Sequence, residues 1–318
     1  MLSYPDFCQK QILFLSTEDA RHLRFQNNNL ILEKEKTILF QLPCHRVFAL
    51  FLIGNGTFTS VFLQKIIQNG VALFFLNQRF RVYATLGAKT EGNTLLRKQQ
   101  YLLENSLPIA QHIVKNKIEN QVALLQSIRK KTETEKKAIT DIRKILTNIP
   151  NAETNESLLG LEGSAAKLFF SAYFQGMRWH GRKPRTKFDP ANTLLDMGYT
   201  ILFHILEAHL RLYGFDIYCG VYHQFFYERK SLVCDLVEPF RCLVDRALRN
   251  AHGLGQIDEN DFDICGHQYL LPWKNGGKYA RIFTDAILER KEDIFRYVQS
   301  YYRCFIRHET DSLPVFSV

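Results

Sequence analysis

The spacing of apolar residues changes at about residue 87, and this change excludes a fold built from one kind of secondary structure. Before it, short apolar runs alternate with polar turns, which predicts strands. After it, apolar residues recur at intervals of three and four with charged residues between them, which predicts helices. We therefore expect an α+β fold, with a small and mostly β domain over residues 1–87 and a larger all-α domain over residues 88–318.

The N-terminal segment divides into short predicted strands. They are residues 12–15, a hairpin over 22–34, and residues 37–42, 47–53, 71–76 and 82–86. The hairpin is predicted to turn at Asn27, Asn28 and Asn29, because Asn tolerates the left-handed backbone conformation. One amphipathic helix is predicted at 59–69, with Gly70 as its C-terminal cap. The polar stretch 88–93 has the composition of a linker.

The C-terminal segment contains five strongly periodic helical stretches, at residues 95–104, 109–131, 133–146, 157–177 and 189–213. The last is apolar nearly all round, which predicts a buried helix that ends at Gly214. His204 and His209 lie five residues apart rather than four, so they do not form a zincin motif and are interpreted as core or interface histidines. The lysines at 130, 131, 136 and 137 are compatible with a solvated helix face or with DNA contact.

Charge and composition favour a polyanionic partner over a membrane. The chain has 41 basic and 32 acidic residues and a formal net charge of +9, which favours nucleic acid without establishing it. No run approaches the roughly 20 apolar residues of a membrane span, and the N-terminus lacks a signal-peptide pattern, so a cytoplasmic protein is expected. Seven widely spaced cysteines without a Cys-x-x-Cys pair indicate reduced thiols rather than disulfides or a zinc ribbon.

Glu162 lies on the apolar side of a predicted helix. Its helical-wheel neighbours are Leu158, Leu159, Ala165, Ala166 and Phe169. A carboxylate on that face loses hydration, which is costly unless a cation or strong hydrogen-bond donors compensate it. Glu162 is therefore either a metal ligand or a structural carboxylate paired with an arginine.

Asp235 and Glu238 form a second acidic site, three residues apart on one face of a helix that Ser231 could cap. Pro239 removes a backbone donor and clashes with the carbonyl four residues earlier, so a kink is predicted at the acidic pair. His223 precedes this helix in an extended passage. An alternative is an acidic turn held by salt bridges to Arg241 or Arg246.

Together these residues supply the hard oxygen ligands that suit Mg²⁺ or Mn²⁺, and one imidazole favours acceptance of Mn²⁺ as well. No thiolate belongs to the set, so zinc is not expected. Such an ion polarises a phosphoryl oxygen and lowers the pKa of a bound water or hydroxyl group. The predicted chemistry is therefore metal-dependent cleavage or transfer of phosphodiesters.

A basic segment lies close to this site in the sequence. Residues 178–187 contain five cations and no acid, a composition typical of a phosphate-binding segment. Trp179 and His180 add flat rings suited to stacking on bases, although a solvated loop would have the same composition. The predicted DNA contacts are Arg178, Arg182, Lys183, Arg185, Lys187 and Arg241.

Four motifs in order along the chain resemble the CRISPR-associated adaptation integrase family, the universal Cas nuclease that inserts new spacers into CRISPR arrays. They are Leu-Leu-Gly-Leu-Glu-Gly around Glu162, the helix from Asp189 to Tyr199, Gly-Val-Tyr-His ending at His223, and the stretch from Ser231 to Arg241. Upstream, Ile53-Gly54, Thr59, Asn69-Gly70 and residues 97–100 also resemble the family, so the similarity covers almost the whole chain.

The resemblance implies a fold with an N-terminal β-sandwich-like domain and a helical catalytic domain. It implies that Glu162, His223 and Glu238 bind the metal, that Asp235 supports the site, and that all four are catalytic. It also implies a homodimer that acts on double-stranded and branched DNA with a small companion Cas protein of ferredoxin-like fold. The expected reaction is attack of a 3′-hydroxyl on a phosphodiester. A general nuclease for branched or single-stranded DNA and a non-catalytic DNA-binding protein remain the alternatives.

Overall fold

The computed structural model describes residues 2–18, 21–87, 92–177, 179–223 and 226–318. The chain divides into two compact units. The first comprises Met1–Lys98 and Glu207–Phe215, and the second comprises Gln99–Leu206 and Asp216–Val318. The first compact unit therefore continues past the predicted boundary at residue 87. The expected order of N-terminal sheets followed by a mostly helical region is confirmed.

The first unit contains two sheets. After a short helix α1 (Tyr4–Cys8), its strands are β1 (Gln11–Ser16), β2 (Arg21–Gln26), β3 (Asn29–Lys34), β4 (Thr37–Pro43) and β5 (Val47–Ile53). Helix α2 (Ser60–Gln68) follows, and then β6 (Ala72–Leu76) and β7 (Val82–Leu86). One sheet has the order β1-β5-β6-β7, with β7 antiparallel to β6 and the other pairs parallel. The other is the antiparallel sheet β2-β3-β4.

The two sheets and α2 share one apolar core, as the β-sandwich-like expectation requires. Leu23 of β2, Leu50 of β5 and Ile66 of α2 belong to the same buried cluster. Every residue of β5 is buried, which explains its continuous apolar sequence. The hairpin between β2 and β3 turns at Asn27 and Asn28, whose φ angles of 48° and 59° lie in the left-handed region, as predicted.

Helices make up most of the remaining chain. They are α3 (Thr94–Tyr101), α4 (Leu107–Ser127), α5 (Glu133–Asn148), α6 (Asn155–Tyr173), α7 (Pro190–Tyr213), α8 (Ser231–Val237), α9 (Arg241–Gly253), α10 (Trp273–Leu288) and α11 (Lys291–Arg307). A small hairpin of β8 (Asp263–Cys265) and β9 (Gln268–Leu270) lies between α9 and α10. Thr132 and Thr154 begin α5 and α6 with capping boxes. Within the second unit, α4 packs against α5, α6 and α9.

The helix is interrupted at the acidic pair, where the sequence predicts a kink. Helix α8 ends at Val237, and Glu238–Phe240 form a single 3₁₀ turn before α9 begins. Pro239 occupies the middle of that turn, where its missing N–H breaks the α-helical pattern. The prediction that Ser231 caps α8 is wrong, because Lys230 holds the cap position without a side-chain hydrogen bond and Ser231 is the first helical residue.

Both histidines of α7 are buried, as core histidines are. His209 is fully buried, and its ring lies 4.7 Å from the ring of Phe48. All seven cysteines are free thiols, and four of them are buried. Among the described residues, no helix has the length and apolar character needed to cross a membrane.

Candidate metal centre

Glu162 lies on α6 with only 14% of its side chain exposed. One carboxylate oxygen accepts a hydrogen bond from the ammonium of Lys117 on α4, and the other accepts one from the hydroxyl of Tyr222. Burial alone would raise the pKa of Glu162, but the charge and hydrogen bond of Lys117 and the hydrogen bond of Tyr222 lower it to about 2. Glu162 is therefore an anion whose charge the protein compensates locally.

Glu238 lies on the other side of the Lys117 ammonium from Glu162. Lys117 Nζ is 2.5 Å from Glu238 Oε2, and Arg241 Nη2 is 3.0 Å from Glu238 Oε1. The Glu238 side chain is 3% exposed, so its burial depends on these two cations. Burial alone would lower the pKa of Lys117, but Glu162 and Glu238 raise it. Two buried carboxylates therefore lie on either side of one shared cation.

Asp235 has a different environment. Its carboxylate is fully buried and accepts hydrogen bonds from the backbone N–H groups of Val221, Tyr222 and His223, at 2.6, 3.1 and 2.9 Å. His223 Nδ1 lies 2.7 Å from Asp235 Oδ1. Because a carboxylate only accepts, Nδ1 is the donor in this contact, which leaves Nε2 as the ring nitrogen available to a ligand. Asp235 thus positions the loop and orients His223.

Gly220 allows this loop to approach α8 closely. A Cβ atom at Gly220 would lie 2.8 Å from Asp235 Oδ2 and 2.7 Å from Ser231 Cβ. Both distances are shorter than ordinary van der Waals contacts, so a side chain at this position would push the loop away from Asp235. The Gly-Val-Tyr-His motif therefore begins with glycine because there is no room for a Cβ atom at this position.

Helix α4 also fixes the turn that carries Glu238. Asn120 Nδ2 donates to the carbonyl oxygens of Pro239 and Phe316, at 3.1 and 2.9 Å. The Phe316 ring lies 4.5 Å from the ring of Phe240, which follows Pro239. These contacts hold the 3₁₀ turn between α4 and the C-terminal segment. The helix that carries Lys117 therefore also fixes, through Asn120, the turn that carries Glu238.

By chemical type, though not by their present spacing, the donors suit a hard divalent cation. Glu162, Glu238 and His223 provide carboxylate oxygens and one imidazole nitrogen. Glu238 Oε2 is buried and makes no hydrogen bond of acceptable geometry with the described residues, although Lys117 lies close to it. No group of three or more His, Cys, Asp or Glu side chains among the described residues is spaced to hold a metal. The carboxylates instead flank the ammonium of Lys117.

A cavity of about 30 Å³ adjoins this cluster. Tyr199 donates a hydrogen bond from its hydroxyl to Asp245 Oδ1, and both residues line the cavity. Burial raises the pKa of Asp245 to about 7, although Tyr199 and nearby cations act in the opposite direction. Arg241 places its guanidinium 4.7 Å from the Tyr199 ring centre. The remaining lining residues are Lys117, Gln121, Phe170, Glu238 and Cys242.

The predicted DNA contacts differ in availability. Arg178 lies outside the described residues. Arg182 binds Asn192 and Asp196, at 2.9 and 2.6 Å, so its side chain is engaged within the protein. Arg241 is likewise engaged, with Glu238.

The rest of the basic segment is more open. Lys183 and Arg185 are exposed, and Lys187 is half-buried. Trp179 packs on α6, with its ring 5.0 Å from that of Phe174, whereas His180 is exposed beside Phe188. The basic segment therefore presents Lys183 and Arg185 to solvent and uses Arg182 to hold its own shape.

Sequence reasoning missed Lys117 and Tyr222, and it named only arginine as a partner for Glu162. A signal was present in α4. Asn116, Lys117, Asn120 and Gln121 are polar residues spaced like one face of a helix, and the three amides are all buried among apolar residues of α4. Leu159 was placed with Glu162 on the buried face, but it is 45% exposed.

Sequence comparison identifies a matching family. The family described as CRISPR associated protein Cas1 matches residues 14–283. A CRISPR-associated endonuclease Cas1 from Thermodesulfovibrio yellowstonii is 31% identical over 270 residues, which cover 80% of this chain and 84% of that protein.

Solved structures have a similar fold. A Cas1 protein from Thermotoga maritima matches 96% of this chain and 97% of its own, with 20% identity and a TM-score of 0.76. A casposase bound to integration product matches 94% and 91%, with 18% identity and a TM-score of 0.76. A chain of a partial Cas6-RT-Cas1–Cas2 complex matches 97% and 99%, with 23% identity and a TM-score of 0.72. At these identities the likeness concerns the fold alone.

Proposed function

The chain belongs to the Cas1 family of CRISPR-associated proteins, and from that membership we propose that it is a DNA integrase that inserts captured fragments into a CRISPR array. In the proposed reaction, the 3′-hydroxyl of a fragment attacks a phosphodiester at the repeat border. One new phosphodiester forms while one breaks, so the exchange needs no external energy source. The relative named as an endonuclease and the casposase bound to integration product support this class of chemistry.

The observation that carries the proposal is the pair of buried carboxylates around one cation. Glu162 and Glu238 would hold Mg²⁺ or Mn²⁺ together with Nε2 of His223. When bound, this ion would polarise a phosphoryl oxygen and stabilise the charge that develops during strand transfer. Asp235 orients His223 through Nδ1, and Tyr222 keeps Glu162 in place through its hydroxyl. Arg241 holds Glu238 and would add positive charge near a phosphate bound at the metal.

The proposed substrates are double-stranded and branched DNA. The exposed cations Lys183 and Arg185 would contact phosphates, which supply most of the sequence-independent affinity for DNA. The net charge of +9 supports the same kind of partner. Specificity for the repeat border would then depend on further protein components.

A homodimer and a small companion protein are proposed partners. Ile38 and Leu39 on the edge strand β4 are each 50% exposed, and such apolar side chains favour a protein contact. The solved structure described as a partial Cas6-RT-Cas1–Cas2 complex supports a Cas2-type companion, for which a ferredoxin-like fold is expected. Light scattering of the purified protein, alone and with its neighbouring Cas2, would measure both assemblies.

A strand-transfer assay tests the proposal. A labelled DNA fragment with a free 3′-hydroxyl is incubated with supercoiled plasmid and the protein, in Mn²⁺ or in EDTA. Integration predicts that label joins the plasmid only in Mn²⁺, and that a fragment ending in a 3′-dideoxynucleotide does not join. Metal-dependent plasmid cleavage that is equally fast with either fragment, without joining, would instead support the alternative of a general nuclease that uses water.

The non-catalytic alternative makes a separate prediction. A structural DNA-binding protein would bind the same fragments, and its carboxylates would serve only as a salt-bridge network. The His223→Ala variant separates the two cases, because it removes a proposed ligand from the loop without removing a buried charge. Strand transfer that stays at the wild-type rate in this variant would contradict the metal-site proposal.

A further inference from the structure

The shared cation of the site belongs to the protein itself. Lys117 Nζ contacts one oxygen of Glu162 and one oxygen of Glu238, and only 11% of its side chain is exposed. Without it, two buried anions would face each other, and of the two only Glu238 would keep an arginine contact, with Arg241. The ammonium therefore lies where a divalent ion bound by both carboxylates would have to lie.

A second position for an ammonium adjoins the first. Gln121 is one helical turn after Lys117 on α4, and both residues line the cavity of about 30 Å³. The buried Oε1 atom of Gln121 accepts no hydrogen bond within the described part of the chain. The carboxylate of Asp245 lines the same cavity and receives the hydroxyl of Tyr199. A cavity of this size holds a group as large as a water molecule.

The charges around this cavity limit what it can accept. Arg241 and Lys117 are its cationic lining residues, Glu238 is an anionic one, and Asp245 is anionic only above its raised pKa of about 7. An arriving ammonium would face repulsion from Arg241 and attraction from Asp245, and Gln121 Oε1 would gain the hydrogen bond that it lacks. An apolar group would leave Gln121 unsatisfied.

We propose that Lys117 is an internal counter-cation that holds the two glutamates in the metal-free protein and turns toward Gln121 and Asp245 when a divalent ion binds. This inference rests on the proposed metal site and goes beyond it by assigning a competitor to the metal. It explains why the structure brings Glu162 and Glu238 together around an ammonium rather than as an open ligand set. Metal binding would thus be an exchange of one cation for another.

Direct Mn²⁺ binding without DNA tests the exchange. Isothermal titration is performed on the wild type, on Lys117→Met and on the control Lys115→Met, which removes a charge from an exposed position of the same helix. In the wild type, Mn²⁺ must displace the Lys117 ammonium, and the free energy of that displacement weakens its binding. Lys117→Met has no ammonium to displace, so it is expected to bind Mn²⁺ about tenfold more tightly. Lys115→Met should match the wild type. Equal or weaker Mn²⁺ binding by Lys117→Met would overturn the proposal.

Thermal unfolding distinguishes a competitor from a purely structural lysine. In EDTA, Lys117→Met should unfold at a lower temperature than the wild type, because two buried carboxylates lose their cation. Saturating Mn²⁺ should restore most of that loss, since the ion replaces the missing charge. A structural salt bridge would give the same loss with and without Mn²⁺, and that result would contradict the proposal.

A second variant covers the case in which Lys117→Met does not fold. Gln121→Met keeps nearly the same volume but removes the acceptor that the displaced ammonium would reach. Mn²⁺ binding should then weaken by about threefold or more, because the lysine leaves the carboxylates less readily. Unchanged or tighter binding would count against the second position.

In crystals soaked with Mn²⁺, Lys117 Nζ should lie beside Gln121, and a lysine still between the glutamates would overturn the exchange.

The outcomes separate this inference from the proposed function. If the wild type binds Mn²⁺ and joins DNA strands but Lys117→Met and Gln121→Met leave Mn²⁺ affinity unchanged, the counter-cation is refuted and the integrase stands. If the wild type neither binds Mn²⁺ nor joins strands, both are refuted.

Discussion

Asp235 and Glu238 are carboxylates three residues apart, but Asp235 is bound mainly by backbone N–H groups and Glu238 by charged side chains. Asp235 accepts hydrogen bonds from three backbone N–H groups and lies beside the ring of His223. Glu238 has the ammonium of Lys117 and the guanidinium of Arg241 beside it. Both are almost fully buried. The backbone N–H groups cannot move away from Asp235 without moving the loop, whereas the flexible side chain of Lys117 can move away from Glu238.

This difference assigns the two residues to different roles. A carboxylate with its oxygens committed to backbone groups organises a loop, and a carboxylate held by a mobile cation can exchange that cation for a metal. Glu162 resembles Glu238 in this respect, because Lys117 is its charged partner. Asp235 and its loop therefore orient His223, whereas Glu162 and Glu238 hold the cation that can be exchanged.

The largest expected effect is on strand transfer in Glu162→Gln. The substitution keeps the shape but removes a charge that would hold the ion, so the joining rate should fall about 100- to 1,000-fold, as it does when one preorganised transition-state contact is lost. Initial rates of fragment joining in Mn²⁺ measure the loss. Glu156→Gln, an exposed position on the same helix, should retain the wild-type rate.

The next effect concerns stability rather than chemistry. Asp235→Asn replaces an acceptor oxygen by an NH₂ group that faces backbone N–H donors, so the free energy of unfolding should fall by about 3 kcal/mol. Urea denaturation monitored by circular dichroism measures this change. Asp285→Asn, which removes the same charge from an exposed position, should change the stability by less than about 0.5 kcal/mol. A loss equally small in Asp235→Asn would remove the proposed contrast.

A third effect depends on pH. The pKa of Asp245 is raised to about 7, so its folded-state carboxyl binds a proton more tightly than in the unfolded chain. The stability advantage of the protonated form is complete below about pH 4 and is lost as the pH rises through 7. Asp245→Asn lacks this loss, so it should be more stable than the wild type by up to about 4 kcal/mol at pH 8 and indistinguishable from it at pH 4. Denaturation at pH 4, 6 and 8 measures the trend, with Asp285→Asn as the charge-matched control, and a constant difference across the range would contradict it.

The smallest effect is expected in the basic segment. Lys183→Ala and Arg185→Ala should each weaken fragment binding by severalfold and reduce the salt dependence by about one ion. Fluorescence anisotropy at several salt concentrations measures both quantities. Lys137→Ala on α5 serves as the comparison, because a solvated helix face predicts no change there. A larger loss in Lys137→Ala than in Arg185→Ala would place the DNA on α5 instead.

Sequence periodicity predicted most of the fold for identifiable reasons. The Asn27–Asn28 turn, the buried run of β5 and the break at Pro239 each depend on local backbone chemistry, which is visible within a few residues. The cap of α8 was missed because Ser231 enters the helix rather than preceding it. Helix ends depend on one or two backbone angles, which patterns locate poorly.

The candidate site was predictable only in part. Glu162, His223 and the acidic pair stood out because carboxylates and an imidazole lie among apolar residues or before a proline. Lys117 is 45 residues before Glu162 in the chain, and only the packing of α4 on α6 brings the two together. A helical pattern identifies a polar stripe but not the element that the stripe faces.

Mn²⁺ affinity in Glu238→Gln and Asp235→Asn tests the central contrast most directly. Titration calorimetry is performed at a temperature where both variants are folded, as circular dichroism verifies. If Glu238 binds the ion and Asp235 only orients His223, Glu238→Gln should lose measurable Mn²⁺ binding. Asp235→Asn should retain it with about 10- to 100-fold weaker affinity, as is typical when a group that orients a ligand is changed. Loss of binding in Asp235→Asn together with wild-type affinity in Glu238→Gln would contradict the assignment.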